Sequence, residues 1–188
     1  MAWNIDASHS QATFSLKHMM ISTVRGHFDV LSGQLNIDEA HPENSWIEAE
    51  VDAASINTRD PKRDGHLKSP DFFDVEKFPK ITFKSTKVEA TGGNEYRVTG
   101  NLTMHGVTKE EVFHAEYAGQ LPKDIFGLQR TAFAVKGTIN RKDYGLNWNV
   151  ALESGGVLVG EKINIEIDLE AVQQIPADQS AATQTAKS

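Results

Sequence analysis

At 188 residues, 39% hydrophobic and 24% charged, the chain suits one soluble globular domain with a sizeable core or a barrel. A formal net charge of −7 argues against general nucleic-acid binding, whose affinity rests on neutralised phosphates. The absence of cysteine excludes disulfides, thiolate metal sites and thiol catalysis.

No apolar run approaches the roughly 20 residues of a transmembrane helix. The chain enters patterned sequence at Trp3-Asn4-Ile5-Asp6 without a basic, then apolar, leader. That predicts no signal peptide and a cytoplasmic location, or a periplasmic one if a leader has been trimmed.

In chain order, Ala12, Phe14, Leu16 and His18 alternate onto one face of a strand. Val24–Ile37 reads as one longer strand, with bends at Gly26 and Gly33. Asp38–Asn44 is turn chemistry, and Trp46–Ala53 is a strand with one acidic, wet face. The tight basic cluster Arg59-Asp60-Pro61-Lys62-Arg63 reads as a solvated loop. Lys80–Glu89, Tyr96–Met104, Glu111–Leu121 and Thr131–Ile139 follow as strands, with turns at Gly92-Gly93 and His105-Gly106 and a loop at Pro122–Gly127. Asn140–Asn147 is too polar and turn-rich for a strand interior. The last strand sets Ile163, Ile165, Ile167 and Leu169 against charged neighbours. A domain over 1–172 and a polar, disordered tail over 173–188 complete the organisation.

Eight or nine strands joined by short turns predict an all-β sandwich or an up-and-down antiparallel barrel, and one-sided alternation favours the barrel. The inward set is Phe14, Leu16, Phe28, Val51, Phe83, Val98, Leu102, Phe133, Val135 and Ile165, and it carries no charge. Small residues (Ala49, Ala53, Gly100, Ala115, Gly137) share that face and would leave volume suited to hydrocarbon, against the competing reading of a solid core.

Arg63–Ser85 interrupts the strand pattern. Ser69-Pro70-Asp71 has the form of an N-cap, first-position proline and acidic first turn, predicting a short helix within 69–78 that ends before Pro79. Phe72, Phe73 and Phe78 would face the barrel, and the Asp71/Asp74 pair is helix-terminal.

Seven histidines (His9, His18, His27, His41, His66, His105, His114) show no metal-ligand spacing. No nucleophile elbow, SxxK pair or phosphate-binding loop is present, and Gly155-Gly156 is a turn. His18 stands out as a polar group on an apolar strand face, either a hydrogen-bonded wall residue or a contact for a ligand head group.

Short pieces matching in order carry a family resemblance. They include Phe14-Ser15-Leu16-Lys17-His18-Met19, Val24-Arg25-Gly26-His27-Phe28, Ser55-Ile56-Asn57-Thr58, His66-Leu67-Lys68-Ser69 and Asp71-Phe72-Phe73-Asp74. Gly100–Thr108, Asp143-Tyr144-Gly145-Leu146 and Val159-Gly160-Glu161 continue the match. The chain resembles the YceI-like family of lipocalin-like bacterial polyisoprenoid-binding proteins across about residues 3–172. That resemblance implies an extended eight-stranded antiparallel barrel whose pore holds a polyprenyl phosphate or isoprenoid quinone tail for transport, storage or sequestration, without an established reaction. Its matching polar positions, His18, Arg63, His66, Arg141 and Tyr144, are candidate head-group contacts, beside the apolar Phe14, Leu16, Phe28, Val51, Phe72, Phe83, Leu102, Phe133 and Val135.

The leading expectation is therefore a non-enzymatic lipid binder with no cofactor, no metal and no nucleic-acid partner, open to transient membrane contact and to homodimer formation. Two other readings are a lipid isomerase or cyclase using His18 or Tyr144 as acid/base, and a stress protein that sequesters varied amphiphiles.

Overall fold

Alternation gives every segment one apolar row, and a sheet buries such rows without leaving edges only by closing on itself. The computed structural model, which describes residues 2–174, adopts that solution. Its strands are β1 (Trp3–Ile5), β2 (Gln11–His18), β3 (Ser22–Phe28), β4 (Leu31–Asn36), β5 (Trp46–Asp52) and β6 (Ile56–Asn57). β7 (Lys80–Gly92), β8 (Glu95–Met104), β9 (Val107–Leu121), β10 (Leu128–Asn140) and β11 (Lys162–Gln174) follow.

The ring runs β1-β4-β5-β7-β8-β9-β10-β11, and β1 pairs back onto β11. Register explains how the remaining segments fit. β11 pairs with β1 at Asn4↔Val172 and with β2 at Ile167↔Ala12, so β1 and β2 form one interrupted wall strand. β3 and β4 form a second, broken at Asp29-Val30, where both N–H groups donate to Ser55. The Val24–Ile37 segment is therefore two strands rather than one. β5 and β6 form a third, broken by a short 3-10 turn at Ala53–Ser55. The result is a closed eight-stranded antiparallel barrel. β11 continues to Gln174, two residues beyond the expected domain limit, and the rest of the expected tail lies outside the described residues.

The helix is displaced from its expected place. α1 spans Pro61–Lys68, whereas 69–78 is a succession of turns. Part of the basic cluster at 59–63 is therefore the start of a helix and not a loop. Asp60 and Pro61 supply its N-cap and first position: Asp60 Oδ1 accepts from Lys62 N at 3.0 Å and Arg63 N at 3.1 Å. Ser69, read as an N-cap, closes the C-terminus instead, its hydroxyl donating to His66 O at 2.7 Å. The same signal occurs twice within ten residues, and the earlier one nucleates the helix. Thr58 locks α1 to β6, with Asp64 Oδ1 accepting from its N at 2.9 Å and its hydroxyl at 2.5 Å.

Buried residues gather in two clusters rather than one. One joins Trp3, Ile5, Ala12, Leu31, Leu35, Leu169 and Ala171 at the closing seam; the other joins Leu102, Met104, Ile139, Tyr144 and Leu146. Between them the wall rings lie in gaps left by glycines. A Cβ on Gly26 would sit 2.5 Å from Phe14 Cζ, one on Gly100 2.5 Å from Phe83 Cζ, and one on Gly137 2.4 Å from Phe113 Cδ1. Gly100 and Gly137 thus seat neighbouring aromatic rings instead of lining open space.

At the rim formed by the ends of β9 and β11, Arg130 ties the seam together. Its Nη1 contacts Asp6 Oδ2 at 2.8 Å and also Glu170, while Nε contacts Asp124 Oδ2 at 2.6 Å. Hydrogen bonds, led by Ser8 at Asp6 and by the Leu128 N–H at Asp124, hold both carboxyls below the usual carboxylate range.

Two expectations test these features. Gly137→Ala must lift the Phe113 ring, so urea unfolding should show a loss of about 1–3 kcal/mol; an unchanged midpoint would mean the ring is not seated there. A carboxyl whose pKa is depressed by folding stabilises above its unfolded value, near 4, and that stability is lost as pH falls toward the folded value. Thermal unfolding should accordingly worsen below about pH 4, less steeply in Arg130→Met than in the wild type.

Candidate ligand-binding site

The barrel encloses an elongated cavity of about 910 Å³. Phe14, Leu16, Phe28, Val51, Phe83, Leu102, Phe133 and Val135 all line it, as do Val98 and Ile165. Ala49 and Ala115 also reach it, whereas Ala53, Gly100 and Gly137 do not. Phe14–Phe28 ring centroids are 5.6 Å apart, Phe83–Phe113 5.2 Å and Tyr117–Phe133 5.4 Å, giving the wall an aromatic lining.

Polar groups occupy the two ends. At the end carrying α1, His18, Asp60, Lys62, Arg63, His66 and Arg141 line the cavity beside Phe72, Phe73 and Trp148. At the other end stand Asn36, Asp38, Glu39, Trp46, Tyr96 and Tyr117. Cationic groups are thus concentrated at one end, and acids dominate the other.

The five polar candidates differ in what they are free to do. Arg63 donates from Nε to Thr58 Oγ1 at 2.7 Å and from Nη2 to Thr58 O at 2.8 Å. His66 Nε2 lies 2.8 Å from Asp71 Oδ2, and its ring meets Trp148 edge-on at 4.7 Å. His18 faces the cavity with no side-chain hydrogen-bond partner among the described residues.

Arg141 is only 3% exposed, and its guanidinium donates to four carbonyl oxygens: Gly160, Leu146, Trp148 and Val159. Burial pulls its pKa down from the usual arginine value, partly offset by Glu161. No carboxylate among the described residues bonds to it directly, so its charge is shared with carbonyl dipoles. Its first task is architectural: it gathers the 146–160 segment over the end of the barrel.

Tyr144 does not line the cavity. It is fully buried among Leu102, Met104, Ile139 and Leu146, which do line the cavity, and its hydroxyl donates to Glu111 Oε1 at 2.7 Å. Burial, reinforced by Glu111, pushes its pKa upward, away from acid/base use near neutrality. Phe78 also departs from expectation, packing over Gly106 and the His105 ring, 4.9 Å away, instead of facing the cavity.

Sequence reasoning missed Trp148, whose ring packs against both His66 and Phe72. The available signal was a lone indole between Asn147 and Asn149 in an otherwise polar segment. It also missed Thr58, Leu158 and Val159 as wall residues. Among the described residues, Asp6, His9 and Glu170 could together approach a metal ion. Arg130 already supplies a positive charge to two of the three, so the cluster reads as an ion-pair network.

Comparison with known proteins places this geometry. The YceI-like domain model matches residues 3–171. The chain belongs to the YceI-like family. It is 40% identical to the UPF0312 protein SA2479 of Staphylococcus aureus over 168 residues, 89% of this chain and 95% of that relative. Among solved structures, the Campylobacter jejuni YCEI protein superposes with a TM-score of 0.71 at 32% identity, covering 85% of this chain and 91% of that one. Burkholderia cenocepacia BcnA gives 0.77 at 24% identity over 89% and 99% of the two chains. A protein from Saccharophagus degradans, described as a polyisoprenoid binding domain implicated in plant cell wall breakdown, gives 0.62 at 19% identity over 90% and 97%. These last two show the shared fold.

Two buried residues should separate architecture from recognition. Arg141→Met removes four carbonyl contacts and should cost about 2–4 kcal/mol, with faster proteolysis of 146–160. Tyr144→Phe should cost only about 0.5–1.5 kcal/mol and leave ligand loading unchanged; loss of loading with normal stability would return Tyr144 to the site.

Proposed function

We propose that this protein binds one long isoprenoid chain inside the barrel, without chemical conversion. The observation that carries the reading is the 910 Å³ cavity running between the two ends, with apolar and aromatic walls throughout its length.

Magnitude supports an organic occupant. At about 24 cal/mol per Å³, a dry void of that size would cost on the order of 20 kcal/mol, above the roughly 5–15 kcal/mol that stabilises a domain. Water could relieve the void only where each molecule found two or more polar partners, and the middle of this wall supplies few. A hydrocarbon chain matches it. The description of the Saccharophagus degradans protein as a polyisoprenoid binding domain supports an isoprenoid as that hydrocarbon.

The head group belongs at the α1 end. Arg63, Lys62 and Arg141 favour phosphate there or the electron-rich carbonyl of a quinone, and His18 brings an uncommitted imidazole. Asp38 and Glu39 would repel an anion at the opposite end. Among the described residues His18 has no side-chain partner to act with, His66 is tied to Asp71 and Trp148, and the Tyr144 hydroxyl is committed to Glu111, an arrangement that supports binding over acid/base conversion.

Organic extraction of the purified protein followed by mass spectrometry should release a polyprenyl lipid or quinone. Ala115→Phe, which fills the wall at a cavity-facing alanine, should reduce loading at least about tenfold while preserving the far-ultraviolet dichroism. Recovery of no lipid, together with unchanged stability on adding a polyprenol, would refute the reading.

A further inference from the structure

The turn between β2 and β3 combines exposure, strain and position in a way the cavity alone does not require. Met19, Met20 and Ile21 are 45%, 62% and 85% exposed, three consecutive large apolar side chains facing solvent. Met19 and Met20 both adopt left-handed backbone, with φ of 49° and 65°, and Ile21 N donates back to His18 O at 3.2 Å. Positive φ at two successive positions is what Asn and Gly adopt at little steric cost. Apolar residues with a steric penalty occupy them instead, so their side chains are the feature to explain.

The tip is firmly held. Met19 N donates to Leu158 O at 2.8 Å, Gly160 N donates to Lys17 O at 2.8 Å, and His18 pairs with Val159. Met20 Sδ fills the place a Cβ on Gly156 would take. Nearby Val150 is also exposed. The tip adjoins the cavity directly, because His18 and Leu158, which flank and brace it, both line the interior.

Resting on the isoprenoid reading above, we propose that Met19-Met20-Ile21 is a membrane-docking wedge at the mouth through which the chain is exchanged. The occupant is a phospholipid bilayer surface. The hairpin from Lys17 to Arg25 carries a cation at each flank and no acid, and the adjoining 146–160 segment adds only Glu153. This suits a surface containing anionic lipids. The opposite rim also exposes an apolar pair, Ile125 and Phe126, beside Lys123 and an Asp124 already paired with Arg130, but on the side of the barrel carrying Asp38, Glu39 and Glu43. Those charges oppose an anionic bilayer.

The test uses Met19→Asn, Met20→Gly and Ile21→Ser together, which removes the apolar tip and installs a strain-free turn. Wild type should co-sediment with vesicles of phosphatidylethanolamine and phosphatidylglycerol, and the triple variant should lose about tenfold or more of that partition. The variant should take up a polyprenol from detergent micelles normally but from vesicles more slowly. Equal vesicle binding by both proteins overturns the wedge. So does sedimentation analysis showing that the wild type avoids vesicles and instead pairs through the tip, becoming monomeric in the variant. If the wild type binds vesicles through the tip yet accepts polyprenol from neither source, the wedge stands and the isoprenoid reading falls.

Discussion

A closed sheet must bury its inward row, and the ordinary way to do so is to fill the middle with side chains. Here the aromatic rings are drawn sideways into the wall. Phe14 covers Gly26, Phe83 covers Gly100 and Phe113 covers Gly137, each ring occupying the volume of the missing Cβ. Ring and backbone then bury surface against each other without demanding the axis. Van der Waals contact is retained within the wall, while the central volume remains available. The two buried clusters lie at the seam and around Tyr144, and both contribute side chains to the cavity wall, so stability does not depend on filling the axis.

Two arginines finish the barrel in contrasting ways. Arg130 meets Asp6, Asp124 and Glu170 at one rim, where its charge is matched by carboxylates. Arg141 meets four carbonyl oxygens at the other, where no acid among the described residues bonds to it. Both organise loops, but only Arg141 also lines the cavity. With Arg63 and Lys62 nearby and Asp38 and Glu39 at the far end, the cavity acquires an electrical direction as well as a length.

Much of this was legible because alternation is a local property. Phe14, Leu16, Phe83, Leu102, Phe133 and Ile165 announce their face through their immediate neighbours, and each lines the cavity. The helix was misplaced for an equally local reason: Asp60-Pro61 and Ser69-Pro70 offer similar starts, and the choice depends on Thr58 anchoring Asp64. Tyr144 and Trp148 were harder still. Both come from the polar stretch after β10, where no periodicity says which ring points inward. Arg141, by gathering the carbonyls of 146–160, helps set that arrangement. A matching motif thus located Tyr144 in sequence without revealing that its hydroxyl is committed to Glu111 and that the residue does not line the cavity.

The closed ladder also constrains how any long ligand could enter. Each wall strand is hydrogen-bonded on both sides over part of its length, with β1–β11 completing the ring. Opening the side would break a row of backbone hydrogen bonds and expose the apolar face, so entry along the axis is the less costly route. For an amphiphile entering tail first, the head group comes to rest at the end of entry. In the proposed reading that end carries Arg63, Arg141 and His18, and the Met19-Met20-Ile21 tip lies beside it. Wall closure therefore confines entry to the two ends of the barrel, and electrostatics and the exposed turn, by separate physical arguments, favour the same one of them.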